Sequence, residues 1–347
     1  MDKEQLEQNP AQQIKLELEQ KAAGRQLRRE GNVQGGALML YKAIMNIVVL
    51  LVTMVAAIPR ILVTFLSGGF AEPSDYYLNM EPIQEAIESA TGWGYLTAVA
   101  AGMGLLVIWK KMDFIRHEIF RPGKAMTVGT FFALLCLVFG LQVPTQLWAM
   151  GLEWICNRWD LSLLQVLEQN AMNQDHIGMW LYVCIAAPVF EEVVFRGLVL
   201  RSLQPYGKRF AITVSAILFG LFHGSPIQTP YAILVGFVLG FVAAEYNVIW
   251  AMVLHMMNNL LLSDVLPRVL SHLPEQLPDA VLWSILILCA LAALIVLMLR
   301  WRDIRQWHRE EQVKAWQRKA LWLSPCIVIL SLWCLLDLSA YFLLMFL

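Results

Sequence analysis

Nine long apolar runs recur along this 347-residue chain, and no other feature limits its fold so strongly. They lie near residues 37–58, 91–109, 127–151, 177–200, 210–228, 231–245, 248–263, 280–299 and 326–347. A run of about 20 apolar residues is long enough to cross a bilayer as a helix. The whole composition leans the same way. The chain is 58% hydrophobic and 15% charged, with mean hydropathy +0.57. Soluble domains sit nearer roughly 45–50% apolar and about 25% charged. The expected fold is therefore all-α: a polytopic membrane helix bundle of about nine transmembrane helices. The sixth and seventh runs are short and separated only by Tyr246-Asn247. Short helices sheltered by neighbours suit a bundle that holds a polar cavity.

Basic residues alternate between the connecting segments. The N-terminal tail carries Lys15, Lys21, Arg25, Arg28 and Arg29. Later rich segments hold Lys110, Lys111, Arg116, Arg121 and Lys124, then Arg201, Lys208 and Arg209, then seven basic residues between Arg300 and Lys319. The intervening segments carry Arg60, Arg158 or Arg268. Rich loops stay in the cytosol. The expectation is a multi-pass integral membrane protein with its N-terminus cytosolic and its C-terminus outside.

Four regions follow. Residues 1–36 read as a polar cytosolic helix, capped near Gly35-Gly36, with no apolar core of a secretory signal at its start. Residues 37–126 hold two spans and their loops, including an acidic outer loop at 74–90 with Asp75, Glu81, Glu85 and Glu88. Residues 127–275 form a core of polar-bearing spans. Residues 276–347 hold the last two spans and a basic amphipathic segment at 300–323, where Trp301, Ile304, Trp307, Trp316 and Trp322 suit a helix lying on the inner leaflet. The six cysteines form no C-x-x-C pair and read as small buried thiols.

Ionisable residues inside spans are expensive and usually functional. Asp337 sits alone in the last span and reads as a packing or partner contact. Most of the others cluster in three spans. In the fourth, Glu192 and Arg196 are four residues apart and share a helix face, acid before base. Arg196 is thus expected to neutralise Glu192. Glu191 points about 100° away and is left without that partner. An unpaired carboxyl in an apolar site has a raised pKa, which suits general acid/base work. Pro188 removes a backbone hydrogen bond just before the pair. In the fifth, His223 lies well inside the run, with Phe219 one turn earlier. Gly220 and Gly224 permit close helix approach or leave room for substrate. In the seventh, His255 and Asn259 share a face, and both can donate toward one point, as an oxyanion hole requires. Each group also has a plainer reading: an ion-pair network, a hydrogen-bonded core histidine, an interhelical polar clasp.

Taken together, Glu191-Glu192-x-x-x-Arg196, Phe219-x-x-x-His223 and His255-x-x-x-Asn259, in this order on separate apolar helices, resemble the CPBP family. That family includes type II CAAX prenyl endopeptidases, bacteriocin-processing and self-immunity proteins, and abortive-infection proteins. The resemblance covers roughly residues 175–265. It implies a membrane endopeptidase whose site opens toward the cytosol. Glu191 and His223 would activate water, His255 and Asn259 would stabilise the oxyanion, and Glu192, Arg196 and Phe219 would organise the site or bind substrate. Two histidines and a glutamate (His223, His255, Glu191) could also hold zinc. The H-E-x-x-H arrangement is absent, so a metal-free glutamate mechanism is expected, with zinc as the alternative cofactor. The expected partners are a peptide or protein substrate, membrane-anchored or lipidated, and the lipid bilayer, with no nucleic acid. Two other functions compete: a non-catalytic membrane binding or immunity module, and a proton-coupled transporter. The sequence shows no paired half-helices in repeated halves to support the transporter.

Overall fold

The computed structural model describes residues 10–67, 75–169 and 176–344, and every regular element among them is helical. In chain order these are α1 (Pro10–Leu66), α2 (Asp75–Phe114), α3 (Val128–Gly140), α4 (Gln142–Cys156), α5 (Leu163–Gln169), the broken helix α6 (residues 177–203), α7 (Lys208–Phe222), α8 (Gln228–Glu245), α9 (Val248–Leu260), α10 (Pro278–Leu299), α11 (Trp301–Glu310), α12 (Ala315–Trp322) and α13 (Pro325–Leu344). The side chain of Asp75, residues 1–5 and the last three residues of the ninth expected span lie outside the described residues.

Seven segments among the described residues are long and apolar enough to cross a membrane: α1, α2, α3 with α4, α8, α9 with its extension to Leu270, α10 and α13. The expected fourth and fifth spans are present as helices but do not qualify. α6 is interrupted by π-helical turns at Tyr182–Ala186 and Glu192–Leu200, and it carries Glu191, Glu192 and Arg196. α7 is only 15 residues long and ends at Phe222, five residues before Ile227. Large apolar side chains such as Leu50, Leu51, Val55, Ile108, Leu288 and Leu336 are exposed on the outer helices. Such faces are stable when lipid covers them, and they mark the chain as an integral membrane protein.

Three sequence expectations are corrected. Gly35-Gly36 does not cap a helix: α1 passes through both residues without a break. Gly35 instead lets α13 approach, since a Cβ there would lie 2.7 Å from the Cys326 carbonyl carbon. The acidic stretch from residue 75 onward is not a loop but the first turns of α2. The 300–323 segment is not one helix. It forms α11 and α12, separated by residues 311–314. Both are docked on the bundle. The Glu311 carboxylate accepts from Lys208 N at 3.1 Å, Arg209 meets His308 at 3.2 Å, and Gln317 donates to the Tyr206 carbonyl.

The four basic-rich segments gather at one end of the bundle. Glu245 receives Lys124 at 2.6 Å and Lys208 at 2.5 Å. The Glu245 carboxylate beside Lys124 holds that ammonium above the usual lysine range. Ser324, just past α12, donates to the Arg28 carbonyl at 3.1 Å. This clustering is what alternating loops produce when they emerge on the same side.

α6 runs through the centre. All nine residues of its second π segment, Glu192–Leu200, are buried. Phe190, Val194, Phe195 and Val199 join one apolar cluster with α1, α7 and α13, while Val193 and Leu198 join a second with α3, α8 and α9. α7 and α8 pack closely as a hairpin. A Cβ on Gly236 would lie 3.0 Å from the Ala216 Cα, and one on Gly220 would lie 2.8 Å from the Ile233 nitrogen. The small-residue reading of Gly220 is therefore close helix approach.

Candidate active site

Pro188 explains the local shape of α6. In the π turn before it, the Ala187 N–H bonds the Tyr182 carbonyl. The next such donor would be residue 188, and proline has none. The Val183 carbonyl is left without an intrahelical donor. Asn259 on α9 fills that vacancy, its Nδ2 donating to Val183 O at 2.9 Å. A side chain from another helix thus fixes the backbone about two turns before the two glutamates.

The expected Glu192–Arg196 pair is present. Arg196 donates from one terminal nitrogen to Glu192 Oε1 at 2.8 Å and from the other to the Gly236 carbonyl at 3.3 Å. Both side chains are 0% exposed. The guanidinium lies 4.2 Å from the centre of the Phe219 ring, whose face attracts cations. Glu192 Oε2 and Arg196 Nε find no hydrogen-bond partner among the described residues.

His255 stands between the two carboxyl groups. Its Nδ1–H donates to Glu192 Oε1 at 3.0 Å, and its Nε2 is 3.9 Å from Glu191 Oε2. That second separation is too long for a hydrogen bond. Glu191 is 17% exposed, whereas Glu192 is sealed. The sequence separated the two glutamates by helical angle. The structure separates them by partners and access, and it joins them through one imidazole.

His223 is at the C-cap of α7 rather than inside a span. Its Nδ1–H donates to the Phe219 carbonyl at 2.9 Å. Phe219 is 2% exposed and is the common wall of the site. It meets the rings of His223 at 4.8 Å and His255 at 5.7 Å, both edge to face. Glu191 lies within electrostatic range of His223. In the neutral form both histidines hold their proton on Nδ1 and present Nε2 as a lone pair.

Two residues overlooked in the sequence complete the arrangement. The Tyr231 hydroxyl donates to Asn258 Oδ1 at 2.7 Å, and Asn258 Nδ2 donates to Asn259 Oδ1 at 3.1 Å. This relay fixes which way the Asn259 amide faces. One Asn259 N–H is engaged by Val183, and the other is left to donate. Asn258 was adjacent to a singled-out residue, but Tyr231 lies on another helix and gave no signal by spacing.

The donor chemistry of two Nε2 lone pairs and a carboxylate suits zinc. Their placement does not complete the set: among the described residues, no three His, Cys, Asp or Glu side chains converge closely enough to hold a metal ion.

Residues 173–261 match the family model of the Rce1-like type II CAAX prenyl endopeptidase. The matched segment contains Glu191, Glu192, Arg196, Phe219, His223, His255 and Asn259, and it agrees with the CPBP resemblance of the three motifs. It supports a CAAX-type membrane protease, with a peptide or protein substrate and a lipid environment. No curated protein and no solved structure matches the chain. α1 to α5 and the C-terminal helices α10–α13 lie outside the matched segment.

Proposed function

We propose that this protein is an intramembrane endopeptidase of the CAAX type, with Glu191 as general base. One observation carries the assignment: of two adjacent glutamates, Glu192 is sealed and bonded to Arg196 and His255, while Glu191 is accessible and, among the described residues, accepts no hydrogen bond. In this reading a water sits between Glu191 and His223. Glu191 takes its proton, and the hydroxide adds to the scissile carbonyl carbon. Electrons pass to the carbonyl oxygen, which becomes an oxyanion. The free Asn259 N–H donates to it, and His255 donates through Nε2 when its ring is protonated. Collapse of the adduct breaks the C–N bond, and the Glu191 carboxyl returns the proton to the leaving amine. Glu192 and Arg196 hold His255 in place, and Phe219 walls the site. The site faces the cytosol, where the basic-rich end of the bundle is placed by the positive-inside rule.

The test is cleavage of a farnesylated CAAX peptide by the purified protein in liposomes. Glu191→Gln is expected to lower kcat by about 10²–10⁴-fold, the range for loss of a general base. Full activity in that variant would remove Glu191 as the base. Chelation with EDTA followed by zinc add-back distinguishes the glutamate mechanism, which tolerates both, from a zinc-dependent one.

A further inference from the structure

Asp337 makes an interhelical contact, as its solitary place in the last span leads one to expect. Its carboxylate pairs with Lys42 of α1 at 2.8 Å. Both residues lie outside the matched segment, on helices from opposite ends of the chain. A lysine in an apolar span is costly, and such residues tend to be retained for a task. The Lys42 side chain is 10% exposed; its ammonium lies 6.0 Å from the centre of the Trp333 ring and meets Phe222 twice. Its ammonium donates to the Phe222 carbonyl at 3.4 Å and lies 4.7 Å from the centre of the Phe222 ring. Phe222 ends α7, so its carbonyl is among those a helix leaves unsatisfied. A cation there also complements the helix dipole.

The next residue is His223, and the one after it is Gly224. Gly224 has φ +60°, a conformation that favours glycine. A Cβ at Gly224 would lie 3.1 Å from the Asp337 Cβ. Lys42 and Asp337 therefore hold the residues on both sides of His223. Tyr41, adjacent to Lys42, extends the contact. Its ring stacks on Phe222 at 5.3 Å with 3° between planes, and it meets the Phe190 ring edge-on at 5.0 Å. Phe190 immediately precedes Glu191. Two consecutive residues of α1 thus touch the chain neighbours of both Glu191 and His223.

We propose that Tyr41, Lys42 and Asp337 form a clamp that sets the spacing of Glu191 and His223. They are positioning residues: none of them bonds the reacting groups. The proposal rests on the reading of Glu191 and His223 as the water-activating pair. Its physical basis is the C-cap location of His223. At this end the ladder narrows to single i to i+3 bonds, His223 N–H to the Gly220 carbonyl and Gly224 N–H to the Leu221 carbonyl, both at 3.1 Å, so the position of His223 also depends on what grips the turn.

The experiment compares Lys42→Met, Lys42→Arg, Asp337→Asn and the reversed pair Lys42→Asp with Asp337→Lys. Three quantities are read: melting temperature in detergent, kcat and KM on a farnesylated CAAX peptide, and the rate at which diethyl pyrocarbonate modifies His223, followed by mass spectrometry. The clamp predicts that Lys42→Met lowers kcat by about 10²-fold, the loss expected for a displacement near 1 Å, with KM changed less than about two-fold. The His223 modification rate rises several-fold. Lys42→Arg keeps wild-type behaviour. The reversed pair restores attraction between α1 and α13, but an aspartate cannot donate to the Phe222 carbonyl. It should recover melting temperature while kcat and His223 protection stay low. If the reversed pair recovers all three, the ion pair merely joins two helices and the clamp is overturned. Unchanged kcat and unchanged His223 modification in Lys42→Met overturn it as well. Should Lys42→Met fail to fold, Asp337→Asn carries the test: His223 modification must rise, and no rise refutes the clamp. If the wild type cleaves no CAAX peptide, the protease reading fails, and the His223 modification rates still decide the clamp.

Discussion

α1 and α6 contain similar helix-breaking residues and respond in opposite ways. α1 holds Gly35, Gly36 and Pro59, yet it is one helix from Pro10 to Leu66. α6 holds Pro188 and Gly197 and contains two π segments. Local propensity does not explain the contrast, because α1 has as many breakers. Surroundings do. One face of α1 presents Leu40, Ile47, Leu50, Leu51 and Met54 outward, where lipid offers no hydrogen-bond partner. Its backbone must satisfy itself. α6 is enclosed by other helices, and the Val183 carbonyl it releases is met by Asn259. Irregular backbone is affordable only where a side chain from elsewhere can complete it. Such π turns recur at functional sites, and here one begins at Glu192.

The comparison can be broken or sharpened by substitution, beginning with the largest effect. Arg196→Met leaves the Glu192 carboxylate buried without its cation. It should destabilise the protein by about 3–5 kcal/mol, and adding Glu192→Leu should recover most of that loss. Unfolding in detergent by SDS titration measures both. If the single change is harmless, the Glu192–Arg196 pair does not hold the enclosed core of α6 together. Gly35→Ala should cost about 1–3 kcal/mol, because its new methyl meets the Cys326 backbone rather than a movable side chain. A fall in melting temperature with weaker α1–α13 crosslinking would show it.

Pro188→Ala restores an N–H that can reach Val183 O and compete with Asn259. Stability should change by less than about 1.5 kcal/mol, since one net hydrogen bond replaces another. Cleavage of the CAAX peptide should nevertheless fall several-fold, as the turn before Glu191 is reset. Unaltered kinetics would separate the π turn from catalysis. The smallest effect belongs to Gly36→Ala. Nothing lies within 4 Å of a Cβ there, so alanine should stabilise α1 by roughly 0.5–1 kcal/mol. A destabilising result would mean that this face of α1 is occupied in the membrane by another surface.

The site motifs were legible because charged and amide groups are rare in the apolar runs. Glu191, Glu192, Arg196, His223, His255 and Asn259 could each be found by that contrast. The i to i+4 spacing of Glu192 and Arg196 correctly gave their ion pair. Asp337 reads as a packing or partner contact, and its partner, Lys42 on α1, is found only in the structure. The Gly35-Gly36 cap failed because a glycine pair signals equally a helix end and a close helix crossing. The span containing His223 was drawn too long because the apolar run continues past Phe222, whereas the helix stops there.

By itself the sequence determined a helical membrane protein and the chemical types gathered in its polar core. Apolar length and the cost of buried charge are local properties, readable from one run at a time. The tertiary structure decided what is relational. It placed His255 between two glutamates, assigned Asn259 to an orphan carbonyl, linked it to Tyr231 through Asn258, and joined Lys42 to Asp337 across the length of the chain. These depend on which helices touch and at what angle. The packing of small residues sets those contacts, and no single run of sequence contains them.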